Sequence, residues 1–146
     1  MLRGNYPAKI DEKGRLKLPA SFRTYVQEKY GTALYVTSIT GQFVDIYPMP
    51  IWLAREQKLL ALPSSLPARA KYLTRAAYYG QATEFDIQGR VMIPWQLRTD
   101  AAMTGDVDVF GKLDMLEVWN HDRLQRQLAA DPFTADDAKT LSDLGF

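Results

Sequence analysis

Five cations fall within fifteen residues near the start of the chain: Arg3, Lys9, Lys13, Arg15 and Lys17. Such a strip suits phosphate oxygens. Arginine also carries the planar fork that fits guanine O6/N7, whereas lysine acts as a point charge. Arg15 sits in "DEKGRLKLP" (Asp11–Pro19), and the pattern Asp-x-x-Gly-Arg-ω-x-ω-Pro, with ω Leu, Val or Ile, returns 75 residues later as "DIQGRVMIP" (Asp86–Pro94). The second copy keeps the Asp, Gly, Arg and Pro. It has Gln88 where the first has Lys13, Met92 for Lys17, Ile87 for Glu12 and Trp95 for Ala20. Only the first copy has cationic chemistry around its arginine.

Two readings compete for the repeated arginines. Each could contact a nucleic acid, or each could pair with its own Asp11 or Asp86 and brace the turn; the second reading weighs more for Arg90, whose neighbours are not basic. The lysines also have an ordinary use as edge-strand charges that discourage aggregation. Asp11 and Asp86 read as turn residues, since Asp accepts from backbone N–H groups two residues on, and Gly14 and Gly89 supply the positive φ of a hairpin.

The two copies extend well beyond the motif. Residues 10–24 align with 85–99 without a gap, and six of the fifteen positions are identical, including Arg23/Arg98 and Thr24/Thr99. Each motif is followed by a short helical pattern, a glycine (Gly31, Gly105) and two apolar strands, the last ending in an aromatic. This is the mark of a tandem duplication. "NYPAKI" and "RLKL" alternate with period 2, which predicts a hairpin with Leu16 and Leu18 inward and Arg15 and Lys17 outward. Lys9 shares that outward face, Lys13 sits at the tip and Arg3 lies just upstream. Pro19 fits the first turn of a helix running through Phe22, Val26 and Tyr30 to a stop at Gly31; the second copy predicts a shorter helix ending at Gly105. Between the copies, two helices are split by "PSS". A helix at "NHDRLQRQLAA" and weak helical spacing in the acidic tail follow. A hairpin this short cannot bury its apolar face alone, so the two copies are expected to pack about a pseudo-twofold axis into one α+β, barrel-like domain with peripheral helices. Its parts are a first repeat at 1–48, a helical connection at 49–79, a second repeat at 80–120, and a C-terminal helix with the acidic tail at 121–146.

Other chemistries are poorly supplied. There is no cysteine and one histidine, His121, placed at a helix start for surface or capping use. No metal-ligand spacing, cofactor motif or small-molecule catalytic constellation stands out, so no enzyme is expected. Asp136 and Asp137 lie in a polar tail where paired carboxylates are solvated. Trp52, Trp95 and Trp119 fall on apolar faces and are expected in the core. With 47% apolar and 24% charged residues the composition is that of a globular chain. No run reaches the roughly 18–20 apolar residues of a membrane span, and the N-terminus lacks an apolar signal core, so a cytoplasmic location is expected. Charge is uneven: residues 1–74 carry 11 Lys/Arg against 5 Asp/Glu, and residues 75–146 carry 7 against 12. The basic half points to an anionic partner such as nucleic acid.

The opening "MLRGNYPAKIDEKGRLKLPASFR", together with "FDIQGRVMIPWQLR" and "LEVWN", resembles the bacterial MraZ proteins of the AbrB/SpoVT superfamily of swapped-hairpin DNA-binding domains. The resemblance runs along essentially the whole chain. Leu2 stands where that family often has Phe, and Ala101–Met103 replaces a commoner Ala-Gly-Leu; neither position lies on the basic strip. The resemblance implies an internally duplicated swapped-hairpin barrel acting as a transcriptional regulator. It implies binding to double-stranded DNA at tandem direct repeats upstream of the protein's own division and cell-wall operon. It further implies a homo-oligomeric ring of about eight to twelve subunits, associated with the nucleoid. On this view Arg3, Lys9, Lys13, Arg15 and Lys17 contact DNA, while Asp11, Gly14, Asp86, Gly89 and Arg90 shape the turns. The alternatives are a ring that contacts the nucleoid or another protein without sequence choice, and an antitoxin-type regulator; the latter usually carries one copy and a disordered tail.

Overall fold

A computed structural model describes residues Met1–Phe146. The first copy forms β1 (Leu2–Ile10), β2 (Arg15–Lys17), α1 (Ala20–Tyr30), β3 (Ala33–Thr37) and β4 (Val44–Pro48). Helices α2 (Met49–Leu60) and α3 (Pro67–Tyr78) connect it to the second copy, β5 (Gln81–Glu84), β6 (Arg90–Met92), α4 (Trp95–Asp100), β7 (Gly105–Leu113) and β8 (Leu116–Asn120). The chain ends in α5 (His121–Ala130) and α6 (Ala135–Asp143). Local chemistry sets several boundaries. Asn120 caps α5 by accepting from the Arg123 N–H at 3.0 Å, and Thr134 and Asp137 form a reciprocal capping box on α6.

All eight strands lie in one antiparallel sheet of order β5-β3-β4-β8-β7-β1-β2-β6, and its two ends, β5 and β6, touch. Exchanging the copies returns the same order once that seam is closed, so the sheet is a nearly closed barrel with a pseudo-twofold axis. The axis passes between β2 and β6, where Leu16 faces Val91, and between β4 and β8, where Asp45 faces Glu117. The core comes from both copies at matched positions: Leu16 and Val91 are fully buried, as are Leu97, Val44 and Val118, with Leu18, Ile93, Phe22 and Ile46 beside them. Neither hairpin could bury such a face alone, and removing either would open the other to water.

The strand alternation and the order of elements follow the sequence expectation, and four details differ. The first hairpin is joined by a single residue pair, Ile10 with Leu16. Beyond it β1 pairs with β7 along its whole length and β2 pairs with β6. The two-stranded ribbon at this end of the barrel is therefore built from both copies and not from one hairpin. Pro19 is the cap residue ahead of α1, not within its first turn, because its extended ψ of 137° directs the chain into the helix from outside. The α4 helix ends at Asp100, short of Gly105, which starts β7. Trp52 and Trp119 are buried, stacked on Tyr35 and Phe43, but Trp95 is 64% exposed. The buried side of α4 is supplied by Leu97, so its first residue points out, as does Ala20 at the matching place in α1.

Candidate nucleic-acid interface

The turn of each copy is built the same way. In the first, Asp11 Oδ1 accepts from the backbone N–H groups of Lys13 and Arg15, both at 2.9 Å, and Arg15 Nε donates to Asp11 Oδ2 at 2.7 Å. In the second, Asp86 Oδ1 accepts from Gln88 and Arg90 N–H at 2.8 and 2.9 Å, and Arg90 Nε donates to Asp86 Oδ2 at 2.8 Å. The Arg15 N–H above all, then the Arg15 guanidinium, holds the Asp11 carboxyl below its ordinary range, and Arg90 does the same for Asp86. Each arginine thus braces its turn through Nε, and its two terminal nitrogens make no hydrogen bond within the chain. Bracing and ligand contact are compatible in one side chain.

Two arginines outside the expected site complete the turns, although both are identical in the repeat alignment. Arg98 of the second copy packs on Gly14 so closely that a Cβ there would lie 2.3 Å from Arg98 Cδ. Arg23 packs on Gly89 in the mirrored contact and donates from Nη1 to the Gln88 carbonyl at 3.2 Å. Gly14 and Gly89 also have φ of +80° and +76°. The left-handed turn favours glycine at both places, and a side chain there would also have to push aside the flexible end of the arginine from the opposite copy.

Between the turns, β2 and β6 present four side chains on their outer face. Arg15 is in register with Met92 and Lys17 with Arg90. The pseudo-axis relates Arg15 to Arg90 and Lys17 to Met92, so the arginines occupy one diagonal and the unlike pair the other. The expectation separated Arg90 from the basic strip; the fold places it directly beside Lys17. Lys13 is exposed at the first tip, and Lys9 is on the same side with a loose, exposed contact to Asp106 at 3.9 Å. Arg3 stands apart, six residues back along β1 and about 20 Å away by strand rise, in register with Lys112. Trp95 flanks the first turn in an open cleft of about 740 Å³ with Asp11, Glu12 and Arg98. His121 is half-exposed, its Nδ1 is 2.6 Å from the buried Asp108 carboxylate, and it lines a pocket with Lys9 and Asp106.

Fold and site define a class: an internally duplicated swapped-hairpin α+β barrel whose two copies share one cationic two-stranded pole. Comparison with known proteins supplies the family. The family model described as "MraZ protein, putative antitoxin-like" matches residues 1–75 and 79–144. The chain is 47% identical to the transcriptional regulator MraZ of Acidobacterium capsulatum over 145 residues, and 49% identical to that of Koribacter versatilis over 146, covering 99% of each partner in both cases. The Chromobacterium violaceum protein of the same name is 34% identical over 136 residues, 93% of this chain and 91% of that one. The chain belongs to the MraZ family. No helix in it is long and apolar enough to cross a membrane.

Proposed function

We propose that the protein is a sequence-specific DNA-binding transcriptional regulator, as its relatives are named, and that it engages the major groove with the β2–β6 pole. The observation that carries this is the outer face of that ribbon, where Lys17 stands in register with Arg90, and Arg15 on the diagonal, over a strand pair whose inner face, Leu16 and Val91, is fully buried. A two-stranded ribbon fits the roughly 12 Å width of the groove. The arginine terminal nitrogens reach guanine edges, and Lys9, Lys13 and Lys17 reach phosphates. Arg3, being remote, serves only as an outlying phosphate contact.

A single pole of this size binds weakly. The family supports assembly into a ring of about eight to twelve subunits, in which neighbouring poles engage tandem direct repeats upstream of the protein's own division and cell-wall operon and raise one another's effective concentration. Such a protein works on the nucleoid in the cytoplasm. The test is fluorescence anisotropy on a labelled duplex from upstream of its own gene, with a scrambled duplex and Arg15→Ala alongside across a salt series. Tight binding to the native duplex that falls steeply with salt and disappears in the variant is the expected result. Equal binding to both duplexes replaces the regulator with a ring that ignores sequence. Absence of binding to either at low salt removes DNA as the partner.

A further inference from the structure

The pole has two chemically different halves on one symmetric frame. The backbone of the second turn matches that of the first in its Asp–Arg bridge, glycine φ and packed arginine. Glu12 occupies the place of Ile87 in that frame, so nothing in the turn itself calls for an isoleucine. Yet Ile87 is wholly exposed, at 101%, and Met92 is 38% exposed in register with Arg15. Between them on the chain, Gln88 is exposed and its side chain has no hydrogen-bond partner; only its backbone is engaged, by Asp86 and Arg23.

A partner that accepts these groups must offer apolar contacts and an amide-matching edge beside anionic groups. A second copy placed face to face is disfavoured, because it would bring two sets of Arg15, Lys17 and Arg90 together. An A·T pair in the major groove fits: thymine shows a 5-methyl group, adenine shows the N6/N7 edge that pairs with a glutamine side chain, and phosphates rim the groove. We propose that the second hairpin reads A·T pairs, with Ile87 and Met92 against thymine 5-methyl groups and Gln88 on adenine, beside the guanines held by Arg15 and Arg90 and the phosphates held by the lysines. The inference rests on the DNA-binding reading and adds a consequence to it. Because the apolar half lies on one side of the pseudo-axis only, the site that one subunit reads has a direction and is not palindromic.

The experiment is an anisotropy scan in which each dT of the native upstream duplex is replaced in turn by dU, which removes the methyl group and leaves base pairing intact. The wild-type protein is expected to lose about fourfold in affinity for each contacted methyl, at positions to one side of the guanines protected by Arg15. The double variant Ile87→Ala/Met92→Ala is expected to bind dT and dU duplexes equally. Both positions are exposed, so its melting temperature should match wild type. If the wild-type protein ignores every dU while Arg15→Ala still abolishes binding, the inference is overturned and the DNA reading stands. If the double variant changes the mass measured by light scattering but retains dU sensitivity, the patch is a subunit contact and the inference is again overturned. If the wild-type protein binds no duplex, both fall together.

Discussion

The pseudo-twofold axis leaves the barrel at two poles, and each sets like charges side by side. At the β2–β6 pole Lys17 is paired with Arg90; at the β4–β8 pole Asp45 is paired with Glu117. Lys17 stands in water and Arg90, part-buried, is paired with Asp86, so solvent, salt and that carboxylate screen their repulsion, and the terminal nitrogens of Arg90 remain available to an anion. The carboxylates are each about nine-tenths buried, under Tyr47, Met115 and Lys112. Glu117 is satisfied there by Trp119 Nε1 at 2.7 Å and Lys112 Nζ at 3.1 Å, but Asp45 has no hydrogen-bond partner. Burial first, and the charge of Glu117 second, push the Asp45 carboxyl up to about 7, against the smaller pull of Lys112 and Arg55. One topology therefore gives two outcomes for the same electrostatic conflict. Exposure keeps the charges and reserves them for a ligand, and burial removes one by protonation.

The largest effect expected comes from emptying the exposed pole. The double variant Arg15→Ala/Arg90→Ala should weaken binding to the upstream duplex by about 30-fold to 3×10⁴-fold, taking 1–3 kcal/mol per arginine contact, with a loss of base preference; Lys13→Ala/Lys17→Ala should instead lower the slope of log K against log salt by about 2. If Arg90→Ala alone leaves affinity unchanged, the pole is not shared between the copies. Emptying the buried pole should leave DNA affinity alone and change stability instead. Asp45 holds its proton in the folded protein up to about pH 7 and in the unfolded chain only to about pH 4. The folded state thus binds the extra proton between those values, and stability falls as pH rises through that window. Asp45→Asn should abolish that fall, raising stability at pH 8 by about 4 kcal/mol and changing little at pH 4. Thermal melts across the range would show it. A slope that survives the substitution assigns the burial penalty elsewhere.

The sequence carried the exposed pole better than the buried one. Duplication, strand alternation, turn chemistry and the helix stop at Gly31 are local, short-range signals, and the fold follows them. What stayed hidden depends on which strands meet. Lys17 and Arg90 are 73 residues apart, and only the swap of β2 onto β6 makes them neighbours; a single hairpin would have kept Arg90 apart, as expected from its own surroundings. Asp45 and Glu117 sit within apolar runs, "FVDIY" and "LEVW", where alternation marks them as outward and nothing local shows that another layer covers them. Trp95 departs from expectation for the opposite reason. Its place on a predicted apolar face argued for the core, but its alignment with Ala20, an exposed position, is the better guide. Arg23 and Arg98 were visible as identities, and their purpose appears only when each is seen against the other copy's glycine.

That cross-packing gives a smaller effect, which tests whether the exposed pole depends on both turns equally. An alanine at Gly14 meets a left-handed backbone, at about 1–2 kcal/mol, and must also displace Arg98. Gly89→Ala meets the same two obstacles with Arg23. Each should lower the melting temperature by roughly 2–8 °C for a chain of this length, and by similar amounts. A marked inequality would show that one turn carries the frame and the other follows it.

The smallest effect concerns a third way of keeping a buried carboxylate. Asp108 is as buried as Asp45, but it accepts from Asn5 Nδ2 at 3.2 Å and is met by His121 Nδ1 at 2.6 Å. The hydrogen bond to Asp108, and then its charge, raise the His121 pKa above the ordinary imidazole value of 6.5. A raised histidine stabilises the fold fully below pH 6.5, and that contribution is lost as pH rises through its folded pKa. Its window therefore begins where that of Asp45 closes. In the Asp45→Asn background, the stability profile should be flat between about pH 5 and 6, above the range where the lowered Asp11 and Asp86 lose their contribution, and then decline slightly through the neutral range. His121→Gln, which can keep an uncharged hydrogen bond to Asp108, should remove that remaining decline. NMR titration of the single histidine should give a midpoint above 6.5 in the wild type, returning toward 6.5 in Asp108→Asn. A midpoint at or below 6.5 in the wild type would mean that the Asp108 contact does not hold the imidazolium, and that Asn5 alone answers for the buried carboxylate.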